Sequence, residues 1–131
     1  MTPPSEDERA AWNDGLKYLM NQVHEDGMKW FPASQTIPFL TLALVGETGE
    51  VANIVKKAMR GSMEMDDAIH GGVRFDGPLP EEVIDVLIYL LSLMAASEFK
   101  GINWMNIWYR KRAFNEARFG GYRAFDEGDI K

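Results

Sequence analysis

Two pairs of acids stand inside apolar stretches of this chain: Glu47-x-x-Glu50 within Leu-Ala-Leu-Val-Gly-Glu-Thr-Gly-Glu-Val-Ala-Asn, and Glu82-x-x-Asp85 within Glu-Val-Ile-Asp-Val-Leu-Ile-Tyr-Leu-Leu. An i, i+3 spacing places both acids of a pair on one face of a helix. Carboxylates facing each other across two helices repel, and burying them costs several kcal/mol each unless a cation compensates. A hard divalent metal with oxygen ligands is the natural compensation. The pattern therefore predicts a Mg²⁺ site built from helices and, through it, a phosphate-bearing substrate.

The elements that must position these acids follow from hydrophobic spacing and stop signals. Ser5-x-x-Glu8 is a capping-box pattern that opens helix one, with Trp12, Leu16, Leu19, Met20 and Val23 at helical spacing and an end expected before Gly27. Residues 28–35 read as a connector. Helix two runs from Thr36, with Pro38 in its first turn, to about Arg60 and stops at Gly61. Residues 62–79 read as a long loop or short hairpin, a length that is often functional in a small domain. Pro80 opens helix three, which reaches about Lys100. Helix four spans about Asn103 to Arg118, and residues 119–131 read as a tail. No segment alternates with period two, so the fold class is all-α: one domain over residues 1–131, its core at about 5–118, with four principal helices. Helix three is apolar on nearly every side between Val83 and Ala96, which predicts burial all round. Four helices hardly enclose it, so a second subunit is expected to cover part of it.

Composition narrows the function. The chain has 131 residues, 46% of them hydrophobic, and a net charge of −6, which argues against nucleic acid as the main partner. It contains no cysteine, which excludes disulfides, thiolate catalysis and Cys-zinc sites. Its two histidines, His24 and His70, are too few for a His-rich metal cluster. The acidic N-terminus lacks the apolar core of a secretory signal, and the longest apolar stretch, Val86–Ala96, is about half a membrane span, so a cytoplasmic protein without a membrane partner is expected.

On helix two one stripe carries Leu40, Ala43, Glu47, Glu50, Ile54 and Lys57; on helix three the matching stripe carries Glu82, Asp85, Tyr89 and Ser92; helix four carries Trp104, Trp108, Lys111, Asn115 and Arg118. Acids for metal, cations for phosphates and aromatics for a flat base are the parts of metal-assisted phosphoryl chemistry. One of the four acids would act as general base, and spacing does not say which. Blander readings accompany each part. A Glu-x-x-Glu is commonly a solvated face, Lys56 and Lys57 suit the C-terminal end of any helix, and Trp30, Trp104 and Trp108 suit a core or subunit contact. Gly46 and Gly49 either permit close helix packing or are merely tolerated.

Gly46-Glu47-Thr48-Gly49-Glu50-Val51, then Glu82-x-x-Asp85, then Lys111-x-x-x-Asn115-x-x-Arg118, resembles the MazG-like all-α nucleoside triphosphate pyrophosphohydrolases over about residues 36–118. The resemblance implies a helical bundle completed by oligomerisation as a homodimer or homotetramer. It implies Mg²⁺, with Mn²⁺ as a substitute, held by Glu47, Glu50, Glu82 and Asp85, and water attack at the α-phosphorus to give a nucleoside monophosphate and pyrophosphate. Lys111, Asn115 and Arg118 match phosphate-contacting positions, with Lys57 a further candidate for which Lys56 is the alternative. Pyrimidine-directed relatives carry an aromatic-His stretch before helix two. This chain has Trp30-Phe31-Pro32-Ala33-Ser34 there, and its short form with an insertion at 62–79 looks like phage-encoded members. That favours a guanine nucleotide such as dGTP, with a base pocket at helix one and the 28–36 connector using Trp30 or Asn21. The rival readings are a different nucleotide phosphohydrolase (dUTP- or dCTP-directed, or a diphosphatase) and a non-catalytic helical interaction module.

Overall fold

The computed structural model describes residues 3–120. Among them are five α-helices and two single-turn 3₁₀ segments, with no strand. The helices are α1 (Glu6–Trp30), α2 (Ile37–Met59), α3 (Met65–His70), α4 (Pro78–Met94) and α5 (Trp104–Phe119). The expected tail lies largely outside the described residues, which end at Gly120.

Local chemistry sets most of the boundaries. The Ser5 hydroxyl accepts the Glu8 amide at 3.1 Å, opening α1 as the capping pattern predicts. Thr36 caps α2 by accepting the Phe39 amide at 3.3 Å, and Asn103 caps α5 by accepting the Asn106 amide at 2.9 Å. At the far end of α2, the Ser62 amide donates to the Lys57 carbonyl and the Gly61 amide to the Ala58 carbonyl. Gly61 adopts a φ of +77°, the left-handed turn that such a closure requires.

Three of the expected boundaries differ. Helix one does not end before Gly27 but continues to Trp30. A Cβ at Gly27 would collide with the Gln35 amide, so this glycine gives room to the connector rather than ending the helix. The segment 62–79 is not simply loop: it contains α3, whose end is closed by Gly71. The third long helix starts at Pro78 and stops at Met94, and residues Ser97–Phe99 form a separate 3₁₀ turn.

The chain divides into two compact units, Leu16–Lys100 and the flanking residues up to Gly15 and from Gly101. In the central unit α2 packs chiefly on α4, and α3 touches both. The buried or half-buried positions of α2 are Ile37, Leu40, Ala43, Leu44, Glu47, Val51, Ile54, Val55 and Ala58, a 3–4 spacing that defines one stripe. Leu40, 1% exposed, anchors it. On α4 the corresponding face holds Glu82, Asp85, Val86, Tyr89, Ser92 and Leu93. Ser92 is buried, and its hydroxyl is satisfied by donating to the Ile88 carbonyl at 2.8 Å.

The expectation that α4 is buried all round is not met within one chain. Val83, Ile84, Leu87, Ile88 and Leu90 are each 40–52% exposed. In the flanking unit, the Arg9 guanidinium lies 4.8 Å from the centroid of the Tyr109 ring, joining the start of α1 to α5. No helix among the described residues is long and apolar enough to cross a membrane.

Candidate metal centre

Glu47 lies close to the middle of the buried stripe of α2, and Glu82 and Asp85 straddle the matching face of α4. The α2–α4 packing therefore forces these three acids together. One carboxylate oxygen from each lies within 4.8 Å of the others, and all three side chains are half-buried. A single divalent ion takes oxygen ligands at 2.0–2.6 Å, so a set of oxygens this close fits around one ion.

The electrostatics of the cluster point the same way. The Glu82 carboxyl is held above its ordinary value of 4.5 by partial desolvation first, then by a side-chain hydrogen bond with Glu47 and by the negative charges of Glu47, Asp85 and Glu50. A carboxylate in that position resists ionising on its own, and a bound cation reverses the effect.

Glu50 is not part of the three-acid cluster. At about 100° per residue, it falls roughly 80° from the centre of the α2 stripe, against about 20° for Glu47. Its side chain is exposed, yet its charge still registers at Glu82. The equal weight that spacing gave Glu47 and Glu50 is thus resolved: an i, i+3 step from a central position reaches the flank, and the i+4 position, Val51, stays on the stripe. Lys57 is exposed on the same flank, in the last turn of α2.

Lys111, Asn115 and Arg118 belong to the flanking unit, on α5. Lys111 Nζ lies 5.2 Å from the Phe114 ring centroid and Arg118 Cζ 4.9 Å from that of Phe119, so both cations rest on aromatic neighbours of their own helix. Trp30 is 61% exposed. A cavity of about 330 Å³ does lie at the connector, lined by His24, Met28, Pro32, Gln35, Leu40 and Ser92 among others, but neither Trp30 nor Asn21 lines it. Within the chain a Cβ at Gly46 or Gly49 would meet nothing within 4 Å, so neither glycine is required by helix packing beside the acids.

Sequence reasoning marked the 62–79 segment by its length but singled out none of its residues. Arg74, Phe75 and Asp76 line a cavity of about 540 Å³ whose other wall is α4, including Asp85. The signal available was an Arg-aromatic-Asp tripeptide bracketed by Gly71-Gly72 and Gly77. Comparison of the chain with protein-family models, with curated proteins and with solved structures gives no match.

Proposed function

We propose that this chain is a Mg²⁺-dependent nucleoside triphosphate pyrophosphohydrolase, working as a homo-oligomer and converting a (d)NTP and water to a (d)NMP and pyrophosphate. The observation that carries the reading is the convergence of Glu47, Glu82 and Asp85, from two helices, to within 4.8 Å. Ionised carboxylates this close repel one another, and a bound cation would offset that repulsion.

Glu47, Glu82 and Asp85 would hold the ion. When bound, Mg²⁺ supplies charge neutralisation for the phosphates and acidifies a water. Glu50 stands outside the three-acid cluster but within electrostatic reach of it, and is the acid left to accept a proton. In the reaction the water oxygen bonds to the α-phosphorus, and the bond from that phosphorus to the α,β-bridging oxygen breaks. Pyrophosphate departs, and the water's proton passes to the Glu50 carboxylate. The assignment of Lys57, Lys111, Asn115 and Arg118 to the phosphates and the preference for a guanine nucleotide such as dGTP rest on the resemblance. Its Mn²⁺ alternative is open to the same assay.

The oligomer has its own support. Val83, Leu87 and Leu90 form a continuous apolar stripe on α4, each at least 40% exposed. It lies on the side away from the acids by helical geometry. Such a stripe is what a second copy would cover.

The test is incubation with Mg²⁺ and each of eight ribo- and deoxynucleoside triphosphates, with products resolved by chromatography. Monophosphate with pyrophosphate supports the reading. Stepwise orthophosphate release assigns a different phosphohydrolase. No turnover with Mg²⁺ or Mn²⁺, and no metal effect on stability, leaves the non-catalytic interaction module.

A further inference from the structure

We infer that the cavity between the 71–77 loop and α4 is the nucleoside-binding pocket, with Phe75 as the stacking residue and Arg74 and Asp76 contacting the polar edge of the base. This rests on the metal-centre reading above, because Asp85 is shared: it belongs to the three-acid cluster and also lines this cavity.

The volume, about 540 Å³, lies within the range of small-molecule sites. Its lining divides by chemistry. Phe75 from the loop and Ile84 and Ile88 from α4 supply apolar surface on both walls. On α4 these isoleucines lie on one side of Asp85, and Val83, Leu87 and Leu90 project elsewhere. Phe75 is 49% exposed, so much of its surface is open to contact by a ligand.

The charges determine which part of a nucleotide enters. Asp76, Glu81 and Asp85 line the cavity together with one cation, Arg74, whose guanidinium lies 5.7 Å from the Phe75 ring centroid. Three carboxylates against one cation disfavour a bare triphosphate in the body of the cavity. They suit a neutral, flat group bearing hydrogen-bond donors and acceptors, with the phosphates held at the Asp85 end where metal compensates. A nucleobase meets that description, and stacking on an aromatic ring tolerates any base.

The tip is a built turn. The Gly72 amide donates to the Asp76 carbonyl at 2.6 Å, and Asp76 adopts a φ of +60°. Gly77 is buried, and a Cβ there would collide with the carbonyls of Ala68 and Ile69, fixing the turn against the end of α3.

The experiment is calorimetric titration, in Mg²⁺, of the wild type and of Phe75→Ala, Arg74→Ala and Val73→Ala. The probes are inorganic tripolyphosphate and the α,β-methylene nucleoside triphosphates, which cannot be cleaved at the relevant bond. The expected result is that the wild type binds the nucleotide analogues more tightly than tripolyphosphate. Phe75→Ala narrows that gap at least about fivefold, the lower bound for a lost stacked base, leaving tripolyphosphate affinity within about twofold. Arg74→Ala alters the ranking of the bases. Val73→Ala, a change at a fully exposed neighbour, alters nothing. A gap untouched by Phe75→Ala overturns the inference, as does an equal loss for both kinds of probe. A Phe75-dependent gap without turnover of natural nucleotides keeps the pocket and rejects the hydrolase. Turnover with no gap does the reverse, and binding of neither probe rejects both.

Discussion

Replacing Asp85 by Asn should make the protein more stable without metal and less stable with it. The carboxylate oxygens of Glu47, Glu82 and Asp85 lie within 4.8 Å of one another. At that separation two unit charges repel by about 0.9 kcal/mol at the dielectric constant of water and about 3.5 kcal/mol at an effective value of 20. Asp85 takes part in two such pairs. The groups are only half-buried and Glu82 resists ionisation, so the water-like limit sets the magnitude. Removing one charge should then relieve about 1.5 kcal/mol, which for a chain of this size raises Tm by about 5 °C. The wild type should gain about 2.7 kcal/mol when Mg²⁺ is a hundredfold above its Kd, whereas Asp85→Asn, having lost a ligand, should gain little. The two melting curves therefore exchange order between EDTA and saturating MgCl₂. Differential scanning calorimetry at neutral pH reads both conditions. Surface acids with no metal role predict changes within about 0.5 kcal/mol in either condition. A variant less stable than wild type in EDTA, or one that retains the full metal-induced rise, would refute the reasoning.

Four other outcomes follow from the geometry. Glu82 has a folded-state pKa raised above 4.5, so the native state binds its proton more tightly than the unfolded state; the metal-free wild type should lose stability relative to Glu82→Gln as pH rises from 4.5 through the raised value, and a parallel pair of Tm–pH curves would contradict this. Glu50→Gln should abolish turnover while keeping most of the Mg²⁺-induced Tm rise, because the side chain stands outside the three-acid cluster; loss of the rise would make Glu50 a ligand instead. Gly61→Ala should cost about 1–2 kcal/mol, since φ is +77° and the space beside it is open, leaving backbone strain as the only cause; urea denaturation measures it. Leu40→Ala, at a position 1% exposed, should cost about 2–5 kcal/mol in the same assay, and a cost below 1 kcal/mol would show that the α2 stripe is not anchored there.

The long helices were legible because their ends carry chemistry that acts locally. Ser5, Thr36 and Asn103 cap, and Gly61 closes. Gly27 misled because a glycine inside a helix and a glycine ending one look alike in sequence; only the Gln35 side chain lying against it separates the two. The short α3 was hidden because a six-residue helix has no room for a periodic apolar face. Within the candidate site, the i, i+3 rule put Glu50 on a par with Glu47, Glu82 and Asp85, and only the last three come together, because membership depends on where the stripe of α2 is centred. The Arg74-Phe75-Asp76 tip lay beyond sequence reasoning because its placement against α4 depends on long-range packing of α3 and the following turn.

α4 leaves few positions free of a task. One side carries the acids and packs on α2, another carries Val83, Leu87 and Leu90, and a third, with Ile84 and Ile88, walls the cavity. On α2, by contrast, Thr41, Thr48, Ala52, Asn53 and Lys56 all face outward and are exposed. A saturation-mutagenesis profile should therefore rise and fall with helical period along α2 but stay uniformly intolerant along α4. The helix that looks least ordinary in composition would then be the one least able to drift in sequence.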